Sequence, residues 1–435
     1  MTRLGWDTFG KSFDCACGVR HALPIEACHI GTDAAEELAR FAHGRCGESA
    51  LIIADENTRA AVGDRLLSML GMAHKQVVEK ILPGQDFDAT LDLAETVARE
   101  GVSCDFYVAI GSGTLSDLAK WAGSQQDKPV LLYPTAASMN GYSSAIVALK
   151  VRGLKATLPC RPATGIFADP EIAASAPPRM TAAGVADFLS KCSSAADWRA
   201  GHLLRGGYYC PRPREFNEGI QARIIEEAPA IGRGEPGAIK LVLEALMLSG
   251  FGMVVAGSSA PASGGEHLIS HYLDMKHALY GTPNDLHGAQ VGVATVHTLD
   301  LWEKVLSVDA RDLDIDALAA AQPAMDQIRE WIVDDWGPEV GKEVLAQWSQ
   351  KALDTDRLRA ELQKFRELLP ELRAALSQEL ESPGIIARCI EETGGPATPE
   401  AMLASREEYR NALKRARFLR NRLTVLDLAA ELCLA

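Results

Sequence analysis

This sequence of 435 residues lacks three features: long apolar runs, an excess of basic over acidic residues, and a regular spacing of cysteines. No apolar run reaches the roughly 18 residues that indicate a membrane-spanning helix. The N-terminus, MTRLGWDTFGKSF, has no signal-peptide core. We therefore expect a cytoplasmic protein without a membrane span.

The charge balance excludes two classes of partner. The chain has 44 basic and 58 acidic residues, which gives a formal net charge of −14. Nucleic acids and anionic membranes both require a broad basic surface, so neither is expected as the main partner. A small anionic ligand stays compatible with this composition, because a few local donors are enough to bind a phosphate.

The ten cysteines show no disulfide-like framework. Without an export signal, reduced thiols are expected. Cys15 and Cys17 stand close to His21, and soft ligands at this spacing are able to hold zinc. No second cysteine pair follows at finger-like spacing, so a surface turn in a β-hairpin is the favoured interpretation.

The length suits two domains rather than one compact core. In the first part of the chain, short apolar runs alternate with helical patterns, which predicts a mostly parallel sheet. A helix is expected from about Asn57 to Leu70. The strand candidates are Ser49–Asp55, Asp105–Ile110 and Pro129–Tyr133, with shorter pieces at Ala145–Leu149 and Gly165–Ala168.

The pattern changes near Asp169–Arg179, where two prolines stand together. Helical periodicity dominates after this point, as in Ala238–Val255 and Leu358–Leu380, and Arg406–Leu434 predicts one or two final helices. The basic run Lys414–Arg422 is typical of a solvated face. We predict an α/β nucleotide-binding domain over 1–175 and an all-helical domain over 176–435.

A glycine-rich turn, Gly111-Ser112-Gly113-Thr114, follows a predicted strand and opens a helix. Glycines allow close backbone approach, and a helix N-terminus offers N–H groups with a positive dipole end, which suits a pyrophosphate. The turn is not the GxGxxG fingerprint, because Ser116 stands where the third glycine would be. A simple tight turn is the alternative interpretation.

Two further strand ends carry polar groups. Asp55 ends the first clear strand, where a carboxylate is able to accept hydrogen bonds from an adenosine ribose. A helix N-cap is the simpler interpretation of Asp55. The segment Pro134–Ser144 (PTAASMNGYSS) also follows a buried strand, and loops at this edge of α/β sheets bind ligands. A purely structural loop is the alternative.

Metal-binding residue types occur in three later segments. His267 and His271 are four residues apart, so they share one face of a helix. His287 stands near the start of another predicted helix, and Asp187 lies in the apolar stretch GVADFL. Imidazoles and a carboxylate suit zinc or a similar divalent ion. Ligands from separate helices have no local spacing rule, so packed histidines and an Asp187–Lys191 pair stay open as alternatives.

Taken together, these segments resemble the iron-containing alcohol dehydrogenase and dehydroquinate synthase-like superfamily, and within it the bacterial sn-glycerol-1-phosphate dehydrogenase family. The resemblance covers nearly the whole chain. The matching segments are CACGVRH, GSGTLSDLAK, PTAASMNGYSS, GVADFLSKCSSAADWRAGHLL, YYCP, GGEHLISHYLDM, LHGAQVGVATV and RNRLTVLDLA.

The resemblance implies a Rossmann-like domain that binds NAD or NADP, an all-helical domain that binds one divalent ion (zinc, nickel or iron), and a homodimer. By family position, Asp55 contacts the adenosine ribose, which favours NAD because a carboxylate repels a 2′-phosphate. The residues implied around the pyrophosphate are Gly111, Gly113, Thr114, Leu115, Ser116 and Asp117. Those implied along the nicotinamide half are Thr135, Ser138 and Ser144. The implied metal ligands are Asp187, His267 and His287.

The family position of Asn140 usually holds an aspartate that faces the substrate. Asparagine keeps the shape and one acceptor but loses the negative charge and any role as a base. The exact substrate is therefore left open. His271 is implied to reach the substrate or its proton path, so the implied catalytic residues are Asp187, His271 and Asn140.

The implied reaction is the reversible reduction of dihydroxyacetone phosphate to sn-glycerol 1-phosphate by hydride transfer from NAD(P)H, with a metal polarising the ketone oxygen. A dehydrogenase of an uncharged polyol such as glycerol is an alternative. Others are a sugar-phosphate cyclase or lyase of the dehydroquinate synthase type, which generally has a glutamate at the position of Asp187, and a nucleotide-binding protein that has lost activity. Candidate phosphate donors are Lys150, Arg152, Lys155 and Lys191.

Overall fold

The computed structural model describes residues 4–84, 87–151 and 154–434, with side chains from 156 onward after the second gap. Arg152 and the side chain of Lys155, two of the predicted phosphate donors, lie outside the described part. The strands are β1 (Ser12–Asp14), β2 (Arg20–Ala22), β3 (Ala27–Ile30), β4 (Ser49–Asp55), β5 (Gln76–Leu82), β6 (Phe106–Ile110), β7 (Val130–Tyr133), β8 (Ile146–Val151), β9 (Leu154–Pro159) and β10 (Gly165–Ala168).

Helices dominate the rest of the described chain. The α-helices are α1 (Ala34–Arg45), α2 (Glu56–Val62), α3 (Arg65–Ala73), α4 (Leu91–Glu100), α5 (Gly113–Gln126), α6 (Pro170–Ala174), α7 (Pro178–Leu189), α8 (Lys191–Arg205), α9 (Ile220–Glu226), α10 (Ala228–Gly232), α11 (Pro236–Ala256), α12 (Gly265–Tyr280), α13 (His287–Ser307), α14 (Ile315–Ala320), α15 (Met325–Ser349), α16 (Thr355–Leu376), α17 (Pro383–Glu392), α18 (Arg406–Arg415) and α19 (Val425–Glu431). Short 3-10 turns occur at Trp6–Thr8, Gly101–Ser103, Asn140–Ser143, Arg212–Phe216, Ala260–Ala262 and Ala416–Leu419.

Six strands form one parallel sheet in the order β3-β10-β7-β6-β4-β5. Helices α1 and α3 cover one face, where Leu38 and Leu66 join the same buried cluster as Ile52. Helix α5 packs on the other face, where the Tyr107 hydroxyl donates to Gln126 Oε1 at 2.9 Å. Because β6 is buried on both faces, its sequence is a continuous apolar run. The predicted α/β fold with a parallel sheet is confirmed.

The winding of this sheet reverses between β4 and β6. Strand β5 lies on one side of β4, and β6, the next strand along the chain, lies on the other side. In doubly wound sheets, ligands bind outside the carboxyl ends of the two strands that flank such a reversal. Asp55 ends β4 and Gly111 follows β6, so both predicted nucleotide contacts lie at this edge.

The single helix predicted over Asn57–Leu70 is wrong. The structure has α2 and α3 there, separated at Gly63 and Asp64. Gly63 has a φ of 66°, in the left-handed region that ends helices and that glycine adopts without steric cost. The apolar periodicity of α3 was therefore mistaken for a continuation of α2.

Two compact units make up the chain. The first contains Met1–Phe188, Pro211–Ser259 and Glu392–Gly395, and the second contains Leu189–Cys210, Ala260–Glu391 and Pro396–Ala435. The boundaries fall near the end of α7 and between Cys210 and Pro211. The predicted division of the sequence at 175/176 stays a prediction.

Helix α11 is a core helix of the first unit. It is 21 residues long and apolar enough to cross a membrane by length and composition, but 83% of its most apolar window is buried inside the protein. A Cβ added at Gly250 would lie 1.9 Å from Ser143 Oγ, so α11 packs directly on the turn Asn140–Ser143. Its apolar character follows from burial on all sides.

The second unit contains a helical core built around large aromatic side chains. Trp302, Trp336 and Phe365 are each no more than 1% exposed. The buried Lys351 donates to Asp427 Oδ2 at 2.7 Å, which satisfies both charges within this core. The predicted all-helical character of this part of the chain is confirmed by α12 to α19.

The basic run Lys414–Arg422 is not a solvated face throughout. Arg417 is 5% exposed, and its guanidinium lies 5.1 Å from the Trp348 ring centroid and 5.2 Å from that of Phe418. Guanidinium groups stack on aromatic rings, so the Arg417 charge is accommodated in the core. A count of charges alone predicts that this side chain faces solvent.

Candidate active site

The turn between β6 and α5 requires glycine at two positions. Gly111 has a φ of 158°, and a Cβ there would lie 2.2 Å from Leu115 Cδ1. A Cβ at Gly113, the first residue of α5, would lie 2.9 Å from Met139 Sδ. Thr114 follows in the first turn of α5. The predicted strand–turn–helix arrangement is present, and its contact with a pyrophosphate stays a prediction.

Asp55 caps helix α2. Its Oδ1 accepts a hydrogen bond from the Thr58 backbone N–H at 2.7 Å, and its own N–H donates to Thr58 Oγ1 at 3.0 Å. The simpler interpretation of this residue, an N-cap, is therefore confirmed. Its contact with an adenosine ribose stays a prediction.

Three of the predicted cofactor residues are turned into the protein. Ser116 and Ser144 are fully buried, and Asp117 is 6% exposed. Asp117 Oδ2 accepts from the Ala148 backbone N–H at 2.9 Å. The Ser144 hydroxyl lies 3.0 Å from the Gly141 carbonyl oxygen. In this conformation, a cofactor would contact either serine only after the surrounding turns moved.

Lys120, which is not among the predicted site residues, fastens the loop that follows β7. Its side chain is fully buried on α5, and Nζ donates to the carbonyl oxygens of Gly141 at 2.6 Å and Ile146 at 2.7 Å. Asp117 Oδ1 lies 3.5 Å from the same nitrogen. Only its position on the buried face of an amphipathic helix could have signalled this role.

The same loop contains the remaining predicted nicotinamide contacts. Thr135 is 6% exposed, and its backbone N–H donates to the Gly111 carbonyl at 3.4 Å, which joins the loop to the glycine turn. The Ser138 hydroxyl lies 3.0 Å from the Tyr142 hydroxyl, which donates to the Ala136 carbonyl at 2.8 Å. The loop is thus held in a single shape by its own side chains.

Asn140 binds the carboxylate of Asp187 at two points. The Asn140 backbone N–H donates to Asp187 Oδ2 at 2.9 Å, and the side-chain Nδ2 donates to Oδ1 at 3.4 Å. Asp187 lies on α7 and is 1% exposed. The close approach depends on Gly184, where a Cβ would lie 2.0 Å from the Ala137 carbonyl oxygen.

A hydrogen bond to Glu266 fixes the Nδ1 atom of His267. Nδ1 lies 2.9 Å from Oε1 of Glu266, which is fully buried and also accepts from the Gly264 N–H at 2.7 Å. Burial acts to raise the pKa of Glu266. The hydrogen bonds from His267 and Gly264 outweigh it and hold this pKa below its ordinary value. A charged Glu266 is only an acceptor, so Nδ1 bears the proton and Nε2 presents a lone pair.

A chain of hydrogen bonds fixes His287 in the same way. Asp274 Oδ1 accepts from Asn284 Nδ2 at 3.1 Å, and Asn284 Oδ1 accepts from Gln290 Nε2. Gln290 Oε1 then accepts the Ser270 hydroxyl proton at 2.8 Å. Because the Ser270 hydroxyl donates its proton to Gln290, its oxygen accepts a hydrogen bond from His287 Nδ1, 2.9 Å away. Nδ1 therefore bears the proton, and Nε2 is again the basic nitrogen.

Asp187, His267 and His287 form one group of possible metal ligands. One ligand atom from each lies within 4.8 Å of the other two. The donor set fits a divalent ion, because one carboxylate and two imidazoles with carboxylate or hydroxyl partners on Nδ1 are a common metal-binding arrangement. Three protein ligands also leave a coordination position for substrate. The predicted residues are therefore brought together, while their role as ligands stays a prediction.

His271 lies one helical turn beyond His267 on α12. Its ring is stacked on that of His287, with centroids 5.9 Å apart and planes at 24°, and it is half-buried. The centroid of the His267 ring is 6.3 Å away. Sequence spacing indicated the shared face of His267 and His271, but no local signal indicated Ser270, Gln290 or Glu266 as partners of the imidazoles.

Comparison with known proteins identifies the family. Residues 29–177 match the family model described as iron-containing alcohol dehydrogenase. A glycerol-1-phosphate dehydrogenase [NAD(P)+] of Bacillus licheniformis is 32% identical over 339 residues, which are 76% of this chain and 84% of that protein. This chain belongs to the iron-containing alcohol dehydrogenase family. A second relative with the same name, from Geobacillus stearothermophilus, is 28% identical over 96% of each chain.

Solved structures of other proteins share the fold. An iron-containing alcohol dehydrogenase of Corynebacterium glutamicum has a TM-score of 0.60 at 15% identity, covering 95% of this chain and 98% of that one. The glycerol dehydrogenase of Schizosaccharomyces pombe has a TM-score of 0.55 at 15% identity, covering 81% and 92%. The family fold therefore extends well beyond the residues matched by the family model.

Proposed function

We propose that this member of the family is a metal-dependent, NAD(P)-dependent dehydrogenase that interconverts dihydroxyacetone phosphate and sn-glycerol 1-phosphate. The observation that carries the proposal is the group formed by Asp187, His267 and His287, within 4.8 Å of one another. The relatives named glycerol-1-phosphate dehydrogenase support the choice of substrate.

A nicotinamide cofactor is proposed at the carboxyl ends of β4 and β6, where the winding of the sheet reverses. Gly111 and Gly113 leave the backbone of the turn open to a pyrophosphate, and the first turn of α5 offers N–H groups. Asp55 would meet the ribose and disfavour a 2′-phosphate, so we propose NAD as the preferred cofactor. The division into a cofactor-binding part, 1–175, and a metal-binding part, 176–435, is proposed with it.

When bound, the cofactor would supply the hydride, and a zinc, nickel or iron ion would supply positive charge to stabilise the developing alkoxide. The chain's own residues orient these groups. Asn140 holds both oxygens of Asp187, and Glu266 and Ser270 keep the protons of His267 and His287 on Nδ1. His271, half-buried beside this group, is proposed to deliver the proton that the product oxygen takes up.

The phosphate of the substrate requires a cationic partner. Lys150 forms an exposed ion pair with Asp88, whereas Lys191, the first residue of α8, is 5% exposed and donates to Ser190 Oγ at 3.2 Å. We propose Lys191 over Lys150 because it stands four residues after Asp187. A cytoplasmic location and a homodimeric state belong to the same proposal.

The substrate is tested by following NADH and NADPH oxidation with dihydroxyacetone phosphate, dihydroxyacetone and other phosphorylated ketones. We expect turnover of dihydroxyacetone phosphate, with a lower KM for NADH than for NADPH. Turnover of dihydroxyacetone alone would instead identify a dehydrogenase of uncharged polyols. If no ketone oxidises either cofactor in the metal-loaded protein, the proposal is wrong.

The metal group is tested separately with Asp187→Ala and His287→Ala. Each variant is expected to retain fewer metal ions per chain than the wild type, measured by elemental analysis after dialysis, and to lose NADH oxidation. His297→Ala is the control, because this histidine lies on α13 with His287 but outside the group. Full activity in either metal-depleted variant would contradict the metal-dependent reaction.

A further inference from the structure

A second group of metal-binding side chains lies at the N-terminal hairpin, far along the chain from Asp187 and the two histidines. Ligand atoms of Cys15, Cys17, His21 and Cys210 all lie within 4.8 Å of one another. We propose that these residues form a Cys₃His site for zinc. Four protein ligands close the coordination shell, which is typical of structural rather than catalytic zinc.

The hairpin presents the two N-terminal sulfurs on one turn. Strands β1 and β2 pair antiparallel, with Phe13 opposite His21. The Gly18 N–H donates to the Cys15 carbonyl at 3.0 Å, and Gly18 has a φ of 82°, a left-handed conformation that suits glycine. This closed turn holds Cys15 and Cys17 over the end of the hairpin next to His21.

The tautomer of His21 is fixed for metal binding. His21 is 2% exposed, and its Nδ1 lies 2.6 Å from the Val255 carbonyl oxygen. A carbonyl accepts but does not donate, so Nδ1 bears the proton and Nε2 presents a lone pair. Nε2 is 3.2 Å from Cys17 Sγ. Histidine ligands of zinc usually donate their other N–H to a backbone carbonyl in this manner.

The distances suit a tetrahedral ion after a small contraction. Zinc–sulfur bonds of about 2.3 Å and zinc–nitrogen bonds of about 2.0–2.1 Å imply ligand atoms about 3.5–3.8 Å apart. The separations in the group, none above 4.8 Å, are within about 1 Å of that geometry. Binding would release the three thiol protons to solvent, so the thiolates and one neutral imidazole face the dication.

The fourth ligand explains why the hairpin alone gave an incomplete signal. Cys210 is 1% exposed and precedes Pro211, far along the sequence from His21. The sequence contains no second cysteine pair at finger-like spacing, which favours a plain hairpin turn. The hairpin is confirmed, and a single distant cysteine completes a ligand set that no local spacing rule describes.

Cobalt substitution tests the site directly in the full-length protein. The protein is stripped with a chelator under reducing conditions and titrated with Co²⁺ while the near-ultraviolet spectrum is recorded. Thiolate ligands give an intense sulfur-to-cobalt charge-transfer band, which Asp187, His267 and His287 are unable to produce because they contain no sulfur. We expect this band to saturate by two Co²⁺ per chain, one at each group of ligands, and to be bleached by Zn²⁺.

Variants assign the band to residues. Cys17→Ser and Cys210→Ser are expected to remove most of its intensity, whereas Cys160→Ser, a half-buried cysteine outside the group, and His287→Ala are expected to retain it. A folded wild-type protein that binds Co²⁺ without the band, or a Cys210→Ser variant that keeps it, would overturn the proposal.

A second measurement needs no variant, so a folding failure leaves the proposal testable. Zinc-loaded and chelator-treated wild-type protein are alkylated, and each cysteine is quantified by mass spectrometry. Zinc is expected to slow alkylation of Cys15, Cys17 and Cys210 at least tenfold relative to Cys160. Equal rates with and without zinc, or a disulfide among the three in reduced protein, would contradict the site.

Discussion

Asn140 donates two hydrogen bonds to one carboxylate, from its backbone N–H to Asp187 Oδ2 and from its side chain to Oδ1. The amide neutralises no charge, but it satisfies an acceptor that is 1% exposed. The resemblance implied that this position faces the substrate. In the structure it also binds the first predicted metal ligand, so the departure from the family's aspartate lies in direct contact with the predicted metal group.

The first prediction concerns Asn140→Asp. A second carboxylate would replace a donor beside Asp187, so the metal-free variant should lose about 1.5–3 kcal/mol of unfolding free energy. Added negative charge should at the same time tighten divalent-ion binding, which competition with a chromogenic chelator measures. Asn140→Ala, which keeps the backbone hydrogen bond but adds no charge, is the control. Weaker ion binding by Asn140→Asp than by Asn140→Ala would contradict this reasoning.

The second prediction concerns Ser270→Ala. Without the hydroxyl, His287 Nδ1 loses its acceptor at 2.9 Å, and the ring is no longer held in one tautomer. Loss of such an outer partner typically lowers metal affinity about 10- to 100-fold. Zinc competition assays should show this loss, while Ser307→Ala, an exposed serine on α13, should bind zinc as wild type does. Unchanged affinity in Ser270→Ala would mean that the hydrogen-bond chain from Asp274 does not orient the ligand.

The third prediction concerns Lys120→Met. The fully buried Nζ donates to Gly141 and Ile146 carbonyls, and Asp117 would be left without its cation. Breaking a buried charge pair of this kind costs about 3–5 kcal/mol. Chemical denaturation should show that loss, together with weaker NADH binding by fluorescence. Lys128→Met removes donors to the Gly101 and Val102 carbonyls at a half-exposed position, and should lose much less.

The fourth prediction concerns pH. Arg205 Nη2 lies 2.6 Å from Glu361 and 3.2 Å from Glu431, so one cation serves two carboxyl groups. Burial raises the pKa of Glu431 to about 8, from an ordinary value of 4.5. The folded protein therefore keeps a proton that the unfolded chain loses, and stability falls as the pH rises from 4.5 through 8.

Glu431→Gln removes this titration and keeps a neutral hydrogen-bonding group. Between pH 6 and pH 8, the wild type should lose on the order of 1.4 kcal/mol per pH unit more than the variant. Urea denaturation at several pH values measures the difference. Parallel pH profiles for the two proteins would show that Glu431 is charged in the folded state.

Local pattern predicted four strands of the parallel sheet, β4, β6, β7 and β10, and the long helices α11 and α16, but it did not predict β3 or β5. The run SALIIAD predicted β4 with its observed bounds, because a strand buried on both faces has few polar positions. The break at Gly63 was missed, because the apolar periodicity that resumes in α3 outweighed the helix-ending signal of a glycine followed by an aspartate. Arg417 was missed because its stacking partners, Trp348 and Phe418, are known only from the packing.

The residues of the candidate site also divide into those that the sequence indicated and those that it did not. His267 and His271 follow from helical spacing. Asp187 and His287 were candidates by residue type alone, the resemblance implied them as ligands, and both lie with His267 in one group. The partners that fix the imidazoles, Glu266 and Ser270, could not be predicted, because hydrogen-bond direction depends on which atoms meet in space. Cys210 could not be predicted for the same reason, because it comes close to Cys15 and Cys17 only in the folded chain.

The contacts of Lys120 also have a mechanical consequence. Because its ammonium, on α5, donates to the Gly141 and Ile146 carbonyls, the loop after β7 is fastened to the helix at both of these residues. A displacement of the loop on ligand binding must then carry the helix with it or break a buried charge contact. Motion at the Asn140 turn should therefore occur as one rigid piece with α5, and amide hydrogen exchange in the two segments should slow together when a ligand binds.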